Sequence, residues 1–277
     1  MIPAAFDYVR AGSAAEAVAL LGEHGDEAKL LAGGHSLLPL MKLRLASPSV
    51  LVDVGRVRDL SYVRDGGDHV AVGALTRHCD VQRSELLEAD VPLLPHVAGL
   101  VGDPQVRHRG TIGGSIAHGD PASDLPAAVL ALGGTLVAQG PSGTRTIAAS
   151  DFFLGFLETA LAPDEVLIEI RVPKMQGAGW SFQKFNRRAQ DWAIVGVAAV
   201  GGQAGGGIAL VNMASTPVRA TAAERAVAGG ASPSDAAAVA AEGLQPPADL
   251  NASAEFRRHL ATVLTRRALE EVAAGRP

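Results

Sequence analysis

Hydrophobic spacing along the chain starts helical, turns extended, and then repeats both rhythms. Ser13-Ala14-Ala15-Glu16 is a capping box, and it opens an Ala/Leu-rich helix that runs to about His24. Lys29-Leu30-Leu31-Ala32 reads as a buried strand and Ser49 to Val54 as another. The first 55 residues therefore form a small βαβ-type unit, with Gly33-Gly34-His35-Ser36 between a strand and the next helix. From Leu60 short strands take over, and Asp65-Gly66-Gly67-Asp68 turns one hairpin. Thr76 is placed to cap a helix through about Leu87, and Pro92 to Val101 is a second helical stretch. A helix over about 122–132 follows, then strands over 135–138 and 166–172.

Near Pro173–Gly177 the chain resets. Three strand-like runs, WSFQKF, WAIVGVAAV and GIALVNMA, precede an Ala-rich region that reads as helical almost to the end. The last helix, about Ser253 to Ala274, sets Phe256, Leu260, Val263 and Leu264 on one face, with Arg257, Arg258, Arg266 and Arg267 mostly elsewhere. The expected division is 1–175, in subdomains of about 1–55 and 56–175, and 176–277, both α+β.

Composition removes several function classes. The formal net charge is −5, which gives no electrostatic reason to expect nucleic acid as partner. No run approaches the roughly 20 apolar residues of a membrane span, and the N-terminus shows no secretory pattern, so a cytoplasmic location is the default expectation. The single cysteine, Cys79, allows neither an internal disulfide nor a self-contained iron–sulfur cluster. No metal-spaced His/Cys group and no Ser/His/Asp order is evident.

Candidate chemistry lies in two glycine loops. Ala32-Gly33-Gly34-His35-Ser36 and Thr111-Ile112-Gly113-Gly114-Ser115 each offer consecutive amides beside a hydroxyl. Glycine lets such amides approach an anion without a Cβ in the way, and a helix start favours the anion's charge. Each loop alone reads as a tight turn; the two together suit the two sides of a pyrophosphate. The dinucleotide fingerprint G-x-G-x-x-G does not fit, although Asp53 lies at the distance of its acidic residue. The third glycine is missing, and no alternating parallel βα series follows.

With LLAGGHSLLPLMKLRLASP, RHRGTIGGSIAHGDPASDLPAAVLAL and KFNRRAQDWAIVGVAA in this order and spacing, the whole chain resembles the FAD-binding medium subunit of the molybdenum hydroxylases. The spelling AGGHSLLPLMKLR is most similar to the branch holding aerobic carbon monoxide dehydrogenase, which also holds hydroxylases of other small molecules. The resemblance implies an α+β fold: a vanillyl-alcohol-oxidase or PCMH-type FAD-binding domain, then a small C-terminal domain of a three-stranded sheet plus helices. It implies non-covalent FAD held by Lys29, Leu30, Leu31, Ala32, Gly33, Gly34, His35, Ser36 and Leu37. The second segment supplies Gly110, Thr111, Gly113, Gly114, Ser115 and Ala117, with Asp124 close behind and Val101 and Gly102 just before. Leu167 and Lys184 match weaker contact positions, and Trp192 an aromatic near the flavin. Where the family pattern ends the second loop in Asn, this chain has Ser115, which keeps a hydroxyl but loses the amide.

The resemblance further implies a relay. A large molybdopterin subunit oxidises substrate, a small subunit carries electrons through [2Fe–2S] clusters, and FAD here passes them to a quinone or another external acceptor. The assembly is a dimer of heterotrimers, and any membrane association comes through the acceptor partner. No residue of this chain need act as acid or base on the substrate. A self-sufficient FAD oxidase of the same fold would need a larger C-terminal pocket domain, and a docking protein would use both loops without redox chemistry. Asp120 reads as a helix-capping residue or a site residue. Asp124 would be repelled by phosphate, so toward FAD it accepts from a ribose hydroxyl or an adenine amine. His35 reads through its backbone amide first, with general base or covalent anchor as the other readings. Arg107-His108-Arg109 reads as a solvated edge or subunit contact, with phosphate pairing as the lesser alternative.

Overall fold

The structure, a computed structural model, describes residues 2–175, 177–202 and 207–275. Gln176, at which the sequence places the start of the second unit, lies outside them. The N-terminal unit runs β1 (Asp7–Arg10), α1 (Ala14–His24), β2 (Ala28–Leu31), α2 (Leu37–Lys42) and β3 (Val50–Asp53). Its sheet has the order β1-β3-β2, and both outer strands lie parallel to β3. Buried Val50, Leu51 and Val52 make β3 the natural centre. Ser13 caps α1, its hydroxyl accepting from the Glu16 amide, and Glu16 accepts in return from the Gly12 amide. Strand β1 went unannounced in the hydrophobic pattern because it is an edge strand whose residues are mostly exposed.

The middle unit is a five-stranded antiparallel sheet, β4 (Val63–Asp65), β5 (His69–Gly73), β10 (Val166–Pro173), β6 (Thr135–Gly140) and β7 (Gly143–Ala148), in the order β4-β5-β10-β6-β7. A small hairpin, β8 (Phe153–Gly155) and β9 (Glu158–Thr159), projects from it. Six short helices fill the connection from β5 to β6: α3 (His78–Gln82), α4 (Glu85–Asp90), α5 (Leu93–Gly99), α6 (Pro104–Arg109), α7 (Ile112–His118) and α8 (Asp124–Ala131). The single helix expected from Thr76 is thus two, α3 and α4, and Thr76 caps neither. Its buried hydroxyl exchanges hydrogen bonds with the Tyr62 backbone, accepting at 3.0 Å and donating at 2.9 Å. Ser84 caps α4 instead.

The C-terminal unit has β11 (Trp180–Phe185), β12 (Val195–Val200), β13 (Ile208–Val211) and β14 (Val218–Arg219), then α9 (Thr221–Ala228), α10 (Pro233–Ala238) and α11 (Ala254–Ala273). The sheet has four strands rather than three, because Val218 and Arg219 pair briefly with β13. Helix is also interrupted between α10 and α11, where Pro246 and Pro247 stand. Every residue of α8 is buried, and α8 packs on β12 and β13 while sharing one core with the five-stranded sheet. Arg257, expected away from the apolar face of α11, is 1% exposed. One of its guanidinium nitrogens donates to the Ile194 carbonyl, and the other donates to Asp249 at 2.7 Å.

Gly113 seats α7 against the end of β5. Its amide donates to the Ala74 carbonyl at 2.9 Å, and a Cβ there would lie 2.6 Å from that oxygen. Alanine would favour the helix, but a backbone clash outweighs propensity. Gly113→Ala is therefore expected to cost about 1–3 kcal/mol in denaturant unfolding, where an ordinary exposed Gly→Ala change in a helix stabilises.

Candidate functional site

The two glycine loops meet. A Cβ on Gly33 would stand 2.9 Å from the Gly110 Cα and closer still to the Arg109 carbonyl oxygen. One on Gly114 would reach within 4.0 Å of the Ala32 Cβ. The first loop lies at the carboxyl end of β2 and the second at the start of α7. Gly34 takes a left-handed φ of 78°, which turns the chain from strand into helix α2.

Their amides differ in a way the sequence did not reveal. Among the described residues, the N–H groups of Gly33, Gly34, His35 and Ser36 donate to no protein acceptor. They are therefore free to act as the expected anion nest. The second loop is not such a nest. Ile112 donates to Thr76, Gly113 to Ala74, Gly114 to the Thr111 hydroxyl at 3.2 Å, and Ser115 to the Thr111 carbonyl. These bonds tie the loop to the chain leaving β5 and fix it against the first loop. Ser115 spends its hydroxyl on Ser123 at 2.8 Å.

Behind the loops lies a buried ion pair. Lys184 Nζ donates to Asp124 Oδ2 at 2.7 Å and to the Leu100 carbonyl at 3.2 Å. The side chains of Lys184 and Asp124 are 8% and 7% exposed. Burial pushes the Asp124 carboxyl up and Lys184 pulls it back down. Asp124 Oδ1 is buried without a partner in the protein. Arg107 donates to the carbonyls of Val101 and Gly102, at 3.2 and 3.0 Å, and so pins that turn rather than lying on a solvated edge. Gly102 there has φ 50°.

Other expected residues are more scattered. Lys29 and His35 are exposed; Leu30, Leu31, Ala32, Leu37 and Ala117 are half-buried. Leu167 is a core residue in β10. Trp192 is 59% exposed and, with Phe156, Asp120 and Arg257, lines an open cleft of about 760 Å³. Asp120 takes the turn-forming role, its Oδ1 accepting from the Ala122 amide at 2.8 Å. Asp53 is spent on the Gly55 amide at 2.7 Å and the Tyr8 hydroxyl, which accounts for its place without any dinucleotide motif. Cys79 is buried, as a small core residue should be.

One residue at the junction was missed. His78 packs against Gly110, whose Cβ position would lie 2.6 Å from the ring. Its pKa is pushed down to about 4, by burial first and then by the neighbouring His35, Arg77 and Arg107. No periodicity or spacing marks it. Among the described residues, no group of three or more acidic, His or Cys side chains is placed to hold a metal, and no helix is long and apolar enough to cross a membrane.

The nest suits a pyrophosphate, and the lone Asp124 oxygen suits a donor on the rest of a flavin dinucleotide. Similarity to known proteins gives the family. The family model described as the FAD binding domain in molybdopterin dehydrogenase matches residues 4–175, and the CO dehydrogenase flavoprotein C-terminal domain matches 180–272. The carbon monoxide dehydrogenase medium chain of Hydrogenophaga pseudoflava is 44% identical over 279 residues, covering 97% of each chain. The chain of the same name from Afipia carboxidovorans is 42% identical, covering 99% of each. The solved carbon monoxide dehydrogenase of Hydrogenophaga pseudoflava that lacks the Mo-pyranopterin moiety superposes with a TM-score of 0.95 at 46% identity, covering 99% of each chain.

Removing Lys184 tests the ion pair. Lys184→Met leaves a buried carboxylate without its counter-ion, at an expected cost of about 3 kcal/mol near neutral pH. The folded pKa of Asp124 is already raised by burial, and it rises further without the lysine. A raised folded carboxyl pKa gives stability that is present at low pH and lost as pH climbs through that value. Denaturant unfolding should therefore find the variant's deficit shrinking on acidification. Adding Asp124→Asn should remove this pH dependence.

Proposed function

The chain belongs to the FAD-binding subunits of the molybdopterin dehydrogenases, and from that premise we propose that it is the flavoprotein subunit of an aerobic carbon monoxide dehydrogenase working at a cytoplasmic site. The observation that carries the cofactor assignment is the run of four unpartnered amides at Gly33–Ser36, closed against the second glycine loop. FAD, when bound, supplies a centre that takes electrons from the [2Fe–2S] clusters of a small subunit and releases them to an external acceptor. Substrate oxidation belongs to a large molybdopterin subunit, and the unit of assembly is a dimer of such heterotrimers.

This chain's own residues bind and orient. The amides of Gly33, Gly34, His35 and Ser36 hold the pyrophosphate, with no lysine needed beside it. Asp124 Oδ1 accepts from a hydroxyl or amine of the cofactor, and Lys184 favours the charged form of that carboxyl and aims it. Trp192, exposed at the cleft rim, covers the isoalloxazine face, and Val101 with Gly102 forms a wall pinned by Arg107. The unit boundary lies near residue 175.

Two measurements check this reading. The purified assembly should show flavin absorption, and its flavin should be reduced by carbon monoxide only with the partner subunits present; direct reduction of the isolated chain would favour a self-sufficient oxidase. The second concerns Gly114, which is exposed and whose nearest obstacle is the Thr111 hydroxyl at 2.7 Å. Gly114→Val should keep the fold yet weaken FAD retention at least about tenfold, because its exposed side chain crowds the space beside Ala32 in the first loop. Gly33→Val is the poorer probe, because its Cβ meets protein backbone and unfolding would mimic cofactor loss.

A further inference from the structure

Beside the first glycine loop, at the carboxyl ends of the three parallel strands, lies a cleft of about 200 Å³. Arg10, Arg56, Arg77 and Arg109 line it together with Gly33. Asp53 is the lone carboxylate in its wall, and both of its oxygens are already engaged, by the Gly55 amide and the Tyr8 hydroxyl. Among the described residues none of the four guanidinium groups is in an ion pair. This concentration of positive charge stands in a chain whose net charge is −5.

The arginines are also placed close to one another. Arg77 is half-buried, and its guanidinium donates to the Arg109 backbone carbonyl; both residues line the cleft. Arg10 donates from Nε to the Tyr8 hydroxyl at 3.1 Å and lies 5.6 Å from the centre of that ring. Four like charges facing a single carboxylate, Asp53, leave net repulsion in the cleft, and an anion relieves it. The planar guanidinium fork matches phosphate oxygens two at a time.

We propose that Arg10, Arg56, Arg77 and Arg109 form a recognition site for a pyrophosphate-type anion. The anion has two sources, the diphosphate of FAD reaching past Gly33 or a free phosphate compound from solution. Only the first source rests on the function proposed above.

The test uses the full-length chain with its FAD. Inorganic pyrophosphate is titrated into it calorimetrically, and flavin release on dilution is followed by fluorescence at low and high salt. Wild type is compared with Arg77→Gln/Arg109→Gln and with Arg56→Gln, the latter removing an exposed side chain that bonds to no described residue. If the anion is FAD's own, the double variant should release flavin at least about tenfold more readily and Arg56→Gln a few-fold, both with a flatter salt dependence. If it is free, pyrophosphate should bind the wild type and not the double variant, with flavin retention unchanged. Variants that match wild type in flavin release, salt dependence and pyrophosphate titration overturn the proposal. So does a double variant whose only defect is in joining its partner subunits, which would make the patch a protein contact. A wild type without flavin would sink the FAD reading, while the pyrophosphate titration would still decide the arginine site.

Discussion

At Gly33 there is room for a hydrogen atom and nothing more. The Arg109 carbonyl and the Gly110 Cα stand where a Cβ would go, so the strand-to-helix turn of one unit is pressed against the chain entering α7 of the next. Much of the site depends on that contact. It brings Ala32 near Gly114, it sets the free amides of residues 33–36 beside the second loop, and it places His78 beneath the junction. The usual account of a glycine pair, close approach to a ligand, covers only part of its use here. Gly33 is required by the protein before any ligand arrives.

The second constraint is electrostatic. Asp124 opens α8 and Lys184 sits in β11, so their bond joins the buried helix of the middle unit to the C-terminal sheet. Such a pair contributes little net stability, since desolvating both charges offsets most of their attraction. What it secures is direction. One carboxylate oxygen is held by the lysine and the other is left buried and unpaired. A solvent-exposed pair, such as Arg188 with Asp191 near the cleft, does not carry the same constraint.

The regular parts of this arrangement were legible in the residues. The capping box of α1, the strands around Lys29 and Val50, the run WSFQKF and the helix after Ser253 follow from spacing and caps alone. What the residues hid was the use of individual polar groups. Thr76 has the form of a helix cap, yet its hydroxyl is taken by the Tyr62 backbone fourteen residues away in the chain. Arg257 has the form of a surface residue, but its guanidinium is buried and donates to the Ile194 carbonyl and Asp249. The residues TIGGS look like a nest, whereas Ala74, Thr76 and Thr111 claim the amides of the last four. In each case the deciding partner is set by tertiary structure, and no local pattern carries it.

The same distinction separates the two loops chemically. A backbone N–H serves as an anion donor only if the fold leaves it without another acceptor, and sequence similarity between two GG turns says nothing about that. In the first loop the strand has ended and α2 has not yet begun, so four successive amides fall outside every ladder. In the second, Gly113 and Ile112 continue hydrogen bonding to the chain leaving β5 before α7 takes over. The first loop therefore has free amide donors to offer a ligand, while those of the second are spent on holding the loop in place. Leaving the donors on one side free lets the other side keep them in position, and the contact at Gly33 joins the two tasks.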